Sequence, residues 1–143
     1  MGRDGEFIKT NVRWCSRVIF FSVSYLISIF VKKIMEALKE YKIGLKNVLQ
    51  KNSAVKRFYL FGSVLTPHFD TTTSDIDVLV ETENISPEEK GEQLMILWED
   101  LEKLFARKVD LLTENSLRNP YLTQEIKQTR KLIYDGQSKQ IFI

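Results

Sequence analysis

Cysteine and histidine are nearly absent from this chain: one of each, Cys15 and His68, among 143 residues. An internal disulfide is therefore excluded, and the thiolate and imidazole ligands of an ordinary zinc site are lacking. Any metal would have to be held by oxygen, which favours magnesium, manganese or calcium. The single thiol fits a reducing compartment, and a cytoplasmic location is expected. A run of five like charges is also missing, as are repeats and low-complexity tracts. The apolar stretch Val18 to Val31 has 14 residues, short of the roughly 20 that cross a bilayer as a helix. A secretory signal would need a small-residue cleavage site after such a stretch, and Lys32-Lys33 follows instead. Three readings of that stretch stay open. It is a hydrophobic contact helix, a short membrane segment flanked by Arg17 and Lys32-Lys33, or a leader foreign to the domain. The last is preferred, because the recognisable domain begins near Lys32.

What is present is the composition of one ordinary globular domain, 43% hydrophobic and 28% charged. The net charge of +2 hides an asymmetry. Residues 1–56 hold 11 Lys/Arg and 4 Asp/Glu, and residues 57–143 hold 10 and 15. The basic portion could face nucleic acid, an acidic lipid surface or an acidic partner. The plainer reading, a solvated basic helix, is adopted, and no DNA binding is expected. The expected organisation is a leader over 1–32, a domain over 33–136 and a tail over 137–143.

Within the domain, Ile34, Met35, Leu38, Tyr41, Leu45, Val48 and Leu49 recur at three- and four-residue spacing. They predict an amphipathic helix over about 32–50, with Gly44 a weak point inside it. Val55 to Phe61 reads as a strand, and the segment from Val64 to Ser74 as a loop. Ser86-Pro87-Glu88-Glu89 combines an N-cap, a proline at the first helical position and a capping-box glutamate, so a helix begins there. Its apolar stripe runs through Leu94, Leu97, Trp98, Leu101, Leu104 and Phe105, all assigned to the core. Val109 to Thr113 reads as a third strand. Asn115 or Ser116 caps a following helix that Pro120 starts or kinks and that covers Leu122 to Arg130. A last strand over Leu132 to Tyr134 ends at Asp135-Gly136.

The chemistry concentrates in Tyr59 to Glu81. Gly62-Ser63 leaves the first strand, and Asp75-Ile76-Asp77 enters the second. Alternation puts Asp75 and Asp77 on one face and Ile76, Val78 and Val80 on the other. Two neighbouring carboxylates repel unless a cation sits between them, which suggests a metal site. The second strand, the capped helix and the third strand form a β–helix–β unit, so the two strands run parallel. Asp110 then reaches the same end of the sheet, on the same face as the other two acids. If the first two strands are antiparallel, Gly62-Ser63 arrives there as well. Carboxylates bridging divalent cations suit phosphoryl or nucleotidyl transfer, and glycine lets the backbone approach a polyphosphate.

The pattern Gly62-Ser63, Asp75-x-Asp77 and Asp110 resembles the DNA-polymerase-β-like nucleotidyltransferase superfamily, over about residues 33–135. The nearest likeness is to its minimal members, typically antitoxins paired with HEPN-domain toxins. The resemblance implies an α/β (α+β) fold, a small mixed sheet flanked by helices. By position it implies that Gly62 and Ser63 contact a nucleoside triphosphate and that Asp75 and Asp77 bind two magnesium ions. It further implies that Asp110 holds the catalytic metal and helps deprotonate an acceptor hydroxyl. One departure matters. The family often follows Gly-Ser with an Arg-x-Arg-Gly-like run, where this chain has Val64-Leu65-Thr66-Pro67. His68, Arg57 and Lys108 are the candidates for the missing cation. The expected function is AMP transfer from ATP to a hydroxyl of a partner HEPN-type toxin. The alternatives are an antitoxin that works by occlusion and a small-molecule nucleotidyltransferase of the aminoglycoside-modifying kind.

Overall fold

The computed structural model describes residues 25, 26, 28–70 and 72–143. The expectations for residues 1–17, most of the Val18–Val31 run and Cys15 lie outside the described residues.

The first described element is helix α1, whose residues 28–38 are continuous. It buries Ile34 and Leu38 and packs Phe30 against the same core. The domain thus reaches back across the boundary expected at residue 32, because Phe30 continues the stripe while Lys32 and Lys33 point outward. A 3₁₀ turn at Lys39–Tyr41 separates α1 from α2 (Lys42–Lys51), so the single helix expected over 32–50 is two. Gly44 serves a packing role in α2. A Cβ there would lie 2.5 Å from Leu104 Cδ1, and its absence lets α2 close on the long helix that carries Leu104.

Strand β1 (Val55–Phe61) pairs antiparallel with β2 (Ile76–Thr82), and β2 pairs parallel with β3 (Val109–Thr113). Between the parallel strands runs α3 (Pro87–Phe105), opened by Ser86, whose Oγ accepts the Glu89 N–H at 3.2 Å. It ends on Ala106 in the left-handed region, at φ 51°. Asn119, and neither Asn115 nor Ser116, caps α4 (Pro120–Thr129), its Oδ1 accepting the N–H groups of Tyr121 and Leu122. Glu114–Ser116 form a 3₁₀ turn instead, in which Ser116 Oγ bonds back to Thr113. Strand β4 (Lys131–Asp135) pairs with the free side of β1, and the two-residue β5 (Gln140–Ile141) pairs with β4. The expected tail therefore contributes to the sheet, which a two-residue strand cannot announce through periodicity.

The result is a mixed five-stranded sheet in the order β3-β2-β1-β4-β5, of the α+β kind expected. Alternation divides its residues between two faces. Phe58, Leu60, Ile76, Val78, Val80 and Val109 join Leu45, Leu49, Leu97 and Leu101 of the helical layer. Tyr59, Phe61 and Leu79 meet Ile126 of α4 on the other face. Each fully buried Leu or Phe contributes about 1.5–3 kcal/mol of burial free energy, so the first face supplies most of the stability. The second face is only partly covered, and it carries the acids.

Candidate active site

Register decides what meets at the sheet end. Phe61 lies opposite Asp77 in the antiparallel β1–β2 pair, and Asp77 lies opposite Asp110 in the parallel β2–β3 pair. Gly62 follows Phe61 directly and turns the chain away with φ +72°. A methyl group on Gly62 would collide with the Asp77 carboxylate, so only glycine leaves room for it. The Ser63 backbone N–H donates to that same carboxylate. All five residues singled out in the sequence thus stand at or beside one end of the sheet. Asp75 sits one residue before β2, which starts at Ile76, so it belongs to the loop end rather than to the strand.

The electrostatics are those of crowded anions. Burial, then the Asp110 carboxylate, raise the Asp77 pKa. Asp75 adds to the rise, while the Ser63 N–H and Lys108 oppose it. Lys108 Nζ lies 3.1 Å from Asp75 Oδ2 and 3.4 Å from Asp110 Oδ1, so one ammonium pairs with both outer acids. The hydrogen bonds it donates to these two carboxylates keep its pKa above the ordinary lysine value. Among the described residues, no group of three or more His, Cys, Asp or Glu side chains is arranged so that it could hold a metal ion as the side chains stand. The donor set still fits a hard divalent cation. Three carboxylates face one region, the innermost is strained by its neighbours' charge, and a lysine already supplies a positive charge there.

Of the three candidate cations, only Lys108 stands at the acids. Arg57 is committed to Glu81 at 3.0 Å, toward the other end of β1. His68 lies on the loop after Ser63. It lines a cavity of about 670 Å³ together with Phe30, Tyr41, Phe69 and Arg107, on the side of the helical layer. Val64, where the family has a basic run, is buried at 2% exposure. The loop beyond it closes on itself, with Asp70 and Ser74 exchanging two hydrogen bonds.

Two groups of residues that position the site were not singled out in the sequence. Trp98, assigned to the core, is 38% exposed. Its indole N–H donates to the Val109 carbonyl at 2.8 Å, while Glu102 Oε1 accepts the Val109 N–H at 3.1 Å. Together they tie the outer edge of β3 beside Asp110. Farther along the acid face, buried Glu81 accepts from the Tyr59 hydroxyl at 2.7 Å and from Arg57 at 3.0 Å. The Arg130 guanidinium stacks 4.0 Å from the Tyr59 ring centre and lies 3.3 Å from Glu81 Oε1. Burial opposes the Glu81 charge, but the Tyr59 and Arg57 hydrogen bonds and the arginine charges outweigh it, so its pKa is lowered. The signal was the alternation that puts Arg57 and Tyr59 on the same face as Asp77 and Glu81 of the paired strand, with Arg57 directly opposite Glu81.

A mixed sheet that brings acids from neighbouring parallel strands to the mouth of a glycine turn is the framework of a nucleotidyl-transferring protein. The profile of the family described as "Polymerase beta, Nucleotidyltransferase" matches residues 44–139. A relative from Methanocaldococcus jannaschii, provisionally named a protein adenylyltransferase, is 36% identical over 102 residues, covering 71% of this chain and 98% of its own. A second from the same organism, with the same provisional name, is 37% identical over 103 residues, at 71% and 98% coverage. A solved complex of a tri-AMPylated Shewanella oneidensis HEPN toxin with an MNT antitoxin aligns at TM-score 0.46 and 22% identity. That alignment covers 70% of this chain and 74% of the other. The chain belongs to the polymerase beta nucleotidyltransferase family, and it is a nucleotidyltransferase.

Proposed function

We propose that this chain transfers AMP from ATP to a hydroxyl group of a partner protein. The convergence of Asp75, Asp77 and Asp110 beside the Gly62 turn carries the reading. It is supported by the naming of relatives that match this chain over almost their whole length. In the reaction the acceptor oxygen bonds to the α-phosphorus of ATP, the bond to the bridging oxygen breaks and pyrophosphate leaves. The hydroxyl proton goes to a base, for which Asp110, half exposed at the sheet end, is the candidate. Gly62 would let the backbone approach the triphosphate, and the Ser63 hydroxyl would bond its oxygens. Asp75, Asp77 and Asp110 would hold two magnesium ions. Bound magnesium neutralises charge on the transferring phosphate and favours the attacking and leaving oxygens.

The acceptor hydroxyl belongs, on this reading, to another protein, in keeping with the provisional names of the relatives. Following the resemblance, that partner is a HEPN-type toxin and the modification silences it. Incubation with ATP labelled on the α-phosphate, magnesium and the candidate toxin should label the toxin. Absence of label with wild type, or undiminished label with Asp75→Ala plus Asp77→Ala, defeats the proposal. Burial of Val64 where the family carries a basic run favours a second reading, an antitoxin that acts by occlusion. In that case the double variant still neutralises the toxin.

A further inference from the structure

The Lys108 ammonium stands between two of the acids proposed to hold metal. Asp75 and Asp110 come from different elements, and this one charge reaches both, at 3.1 Å and 3.4 Å. Its backbone is fixed, since the Lys108 carbonyl accepts the Ile76 N–H at 3.0 Å as β3 joins β2. Its head is not fixed by packing, for the side chain is 63% exposed on a flexible four-carbon stem. The groove on its other side is lined by Leu94, Met95, Trp98, Val109 and Leu111 and offers no anion besides Asp110 itself.

We propose that Lys108 is a resident counter-cation of the acid cluster, displaced by metal and then paired with the phosphates of the bound nucleotide. One divalent cation shared by the three carboxylates cancels most of their charge and loosens the hold on Lys108, and a second one turns the attraction into repulsion. The nearest anion left to it is the polyphosphate held at Gly62 and Ser63. In this way one lysine supplies the charge that Val64 to Pro67 omit. The phosphate half of the inference rests on the proposed nucleotidyl transfer; the competition with metal does not.

The test uses the full chain and its Lys108→Met and Lys108→Arg variants, with folding checked by circular dichroism. Manganese binding is titrated by electron paramagnetic resonance without nucleotide. Binding of a non-hydrolysable ATP analogue is then measured by calorimetry at saturating manganese. Lys108→Met should bind manganese about 3- to 10-fold more tightly, the range that two exposed ion pairs can supply. It should bind the analogue several-fold more weakly, and Lys108→Arg should restore analogue binding. Unchanged or weaker manganese binding overturns the counter-cation role. Tighter manganese binding with unchanged analogue affinity overturns the transfer to phosphate. Neither measurement needs an acceptor or turnover, so a failure of AMP transfer stays separable from both outcomes.

Discussion

Gly62 is the residue on which the site geometry turns. Its positive φ would cost any other residue about 1–2 kcal/mol, and its missing side chain leaves room for the Asp77 carboxylate. Gly62→Ala should therefore lower stability by about 1–2 kcal/mol in urea unfolding. AMP transfer should fall far more, by about 100-fold, because the methyl displaces a carboxylate that a placement error of about 1 Å disables. A variant with near-normal transfer would show that Asp77 need not stay where it is. At this scale the sequence was informative wherever period-two alternation governs, and Asp77 and Asp110 stand on the face assigned to them. It offered Lys108 only as one of three candidate cations, because its pairing depends on the rotamer of a long side chain. The Glu81 cluster was legible in principle, since Arg57, Tyr59 and Glu81 all occupy acid-face positions.

At the scale of elements, α3 both spans the parallel crossover and holds the edge of β3. Trp98 and Glu102 occupy the Val109 carbonyl and N–H, groups that an edge strand would otherwise leave to water. Trp98→Phe keeps most of the packing and removes the donor, and should cost about 1 kcal/mol in chemical denaturation. The transfer rate should fall by more than that loss of stability accounts for, because Asp110 is the next residue along. Equal losses would mean that the tie is structural only. The start of α3 was legible because Ser86 and Pro87 are local signals. The break at Lys39–Tyr41 was not, since the apolar spacing continues through it and no glycine or proline marks it. Nor was the left-handed turn at Ala106, which most chains would give to glycine.

Across the whole molecule, the sheet face that carries the acids sets two carboxylates against each other in their response to pH. The raised pKa of Asp77 means that ionisation destabilises the metal-free fold. That cost is full above its folded pKa and vanishes as pH falls below the unfolded value of about 4. The lowered pKa of Glu81 has the opposite sign. Its stabilisation is full above the unfolded value and is lost as pH falls through the folded one. In chelator at neutral pH, Asp77→Asn should raise the melting temperature and Glu81→Gln should lower it, with both differences shrinking toward pH 3. Calorimetry across that range checks the signs, and a destabilised Asp77→Asn at pH 7 would contradict the electrostatic reading.

The two approaches to the acid cluster differ in how they tolerate changes of chain length. Between Ser63 and Asp75 the chain loops out and closes on itself through Asp70 and Ser74, so extra residues can bulge into solvent without moving either end. Between Phe105 and Val109 only Ala106, Arg107 and Lys108 intervene, and Ala106 already takes a left-handed turn. Losing one residue there would shift β3 by half its pleat, sending Asp110 toward the helical core and Leu111 into the site. Insertions should therefore be tolerated between Ser63 and Asp75, whereas a one-residue deletion between Phe105 and Val109 should abolish the site.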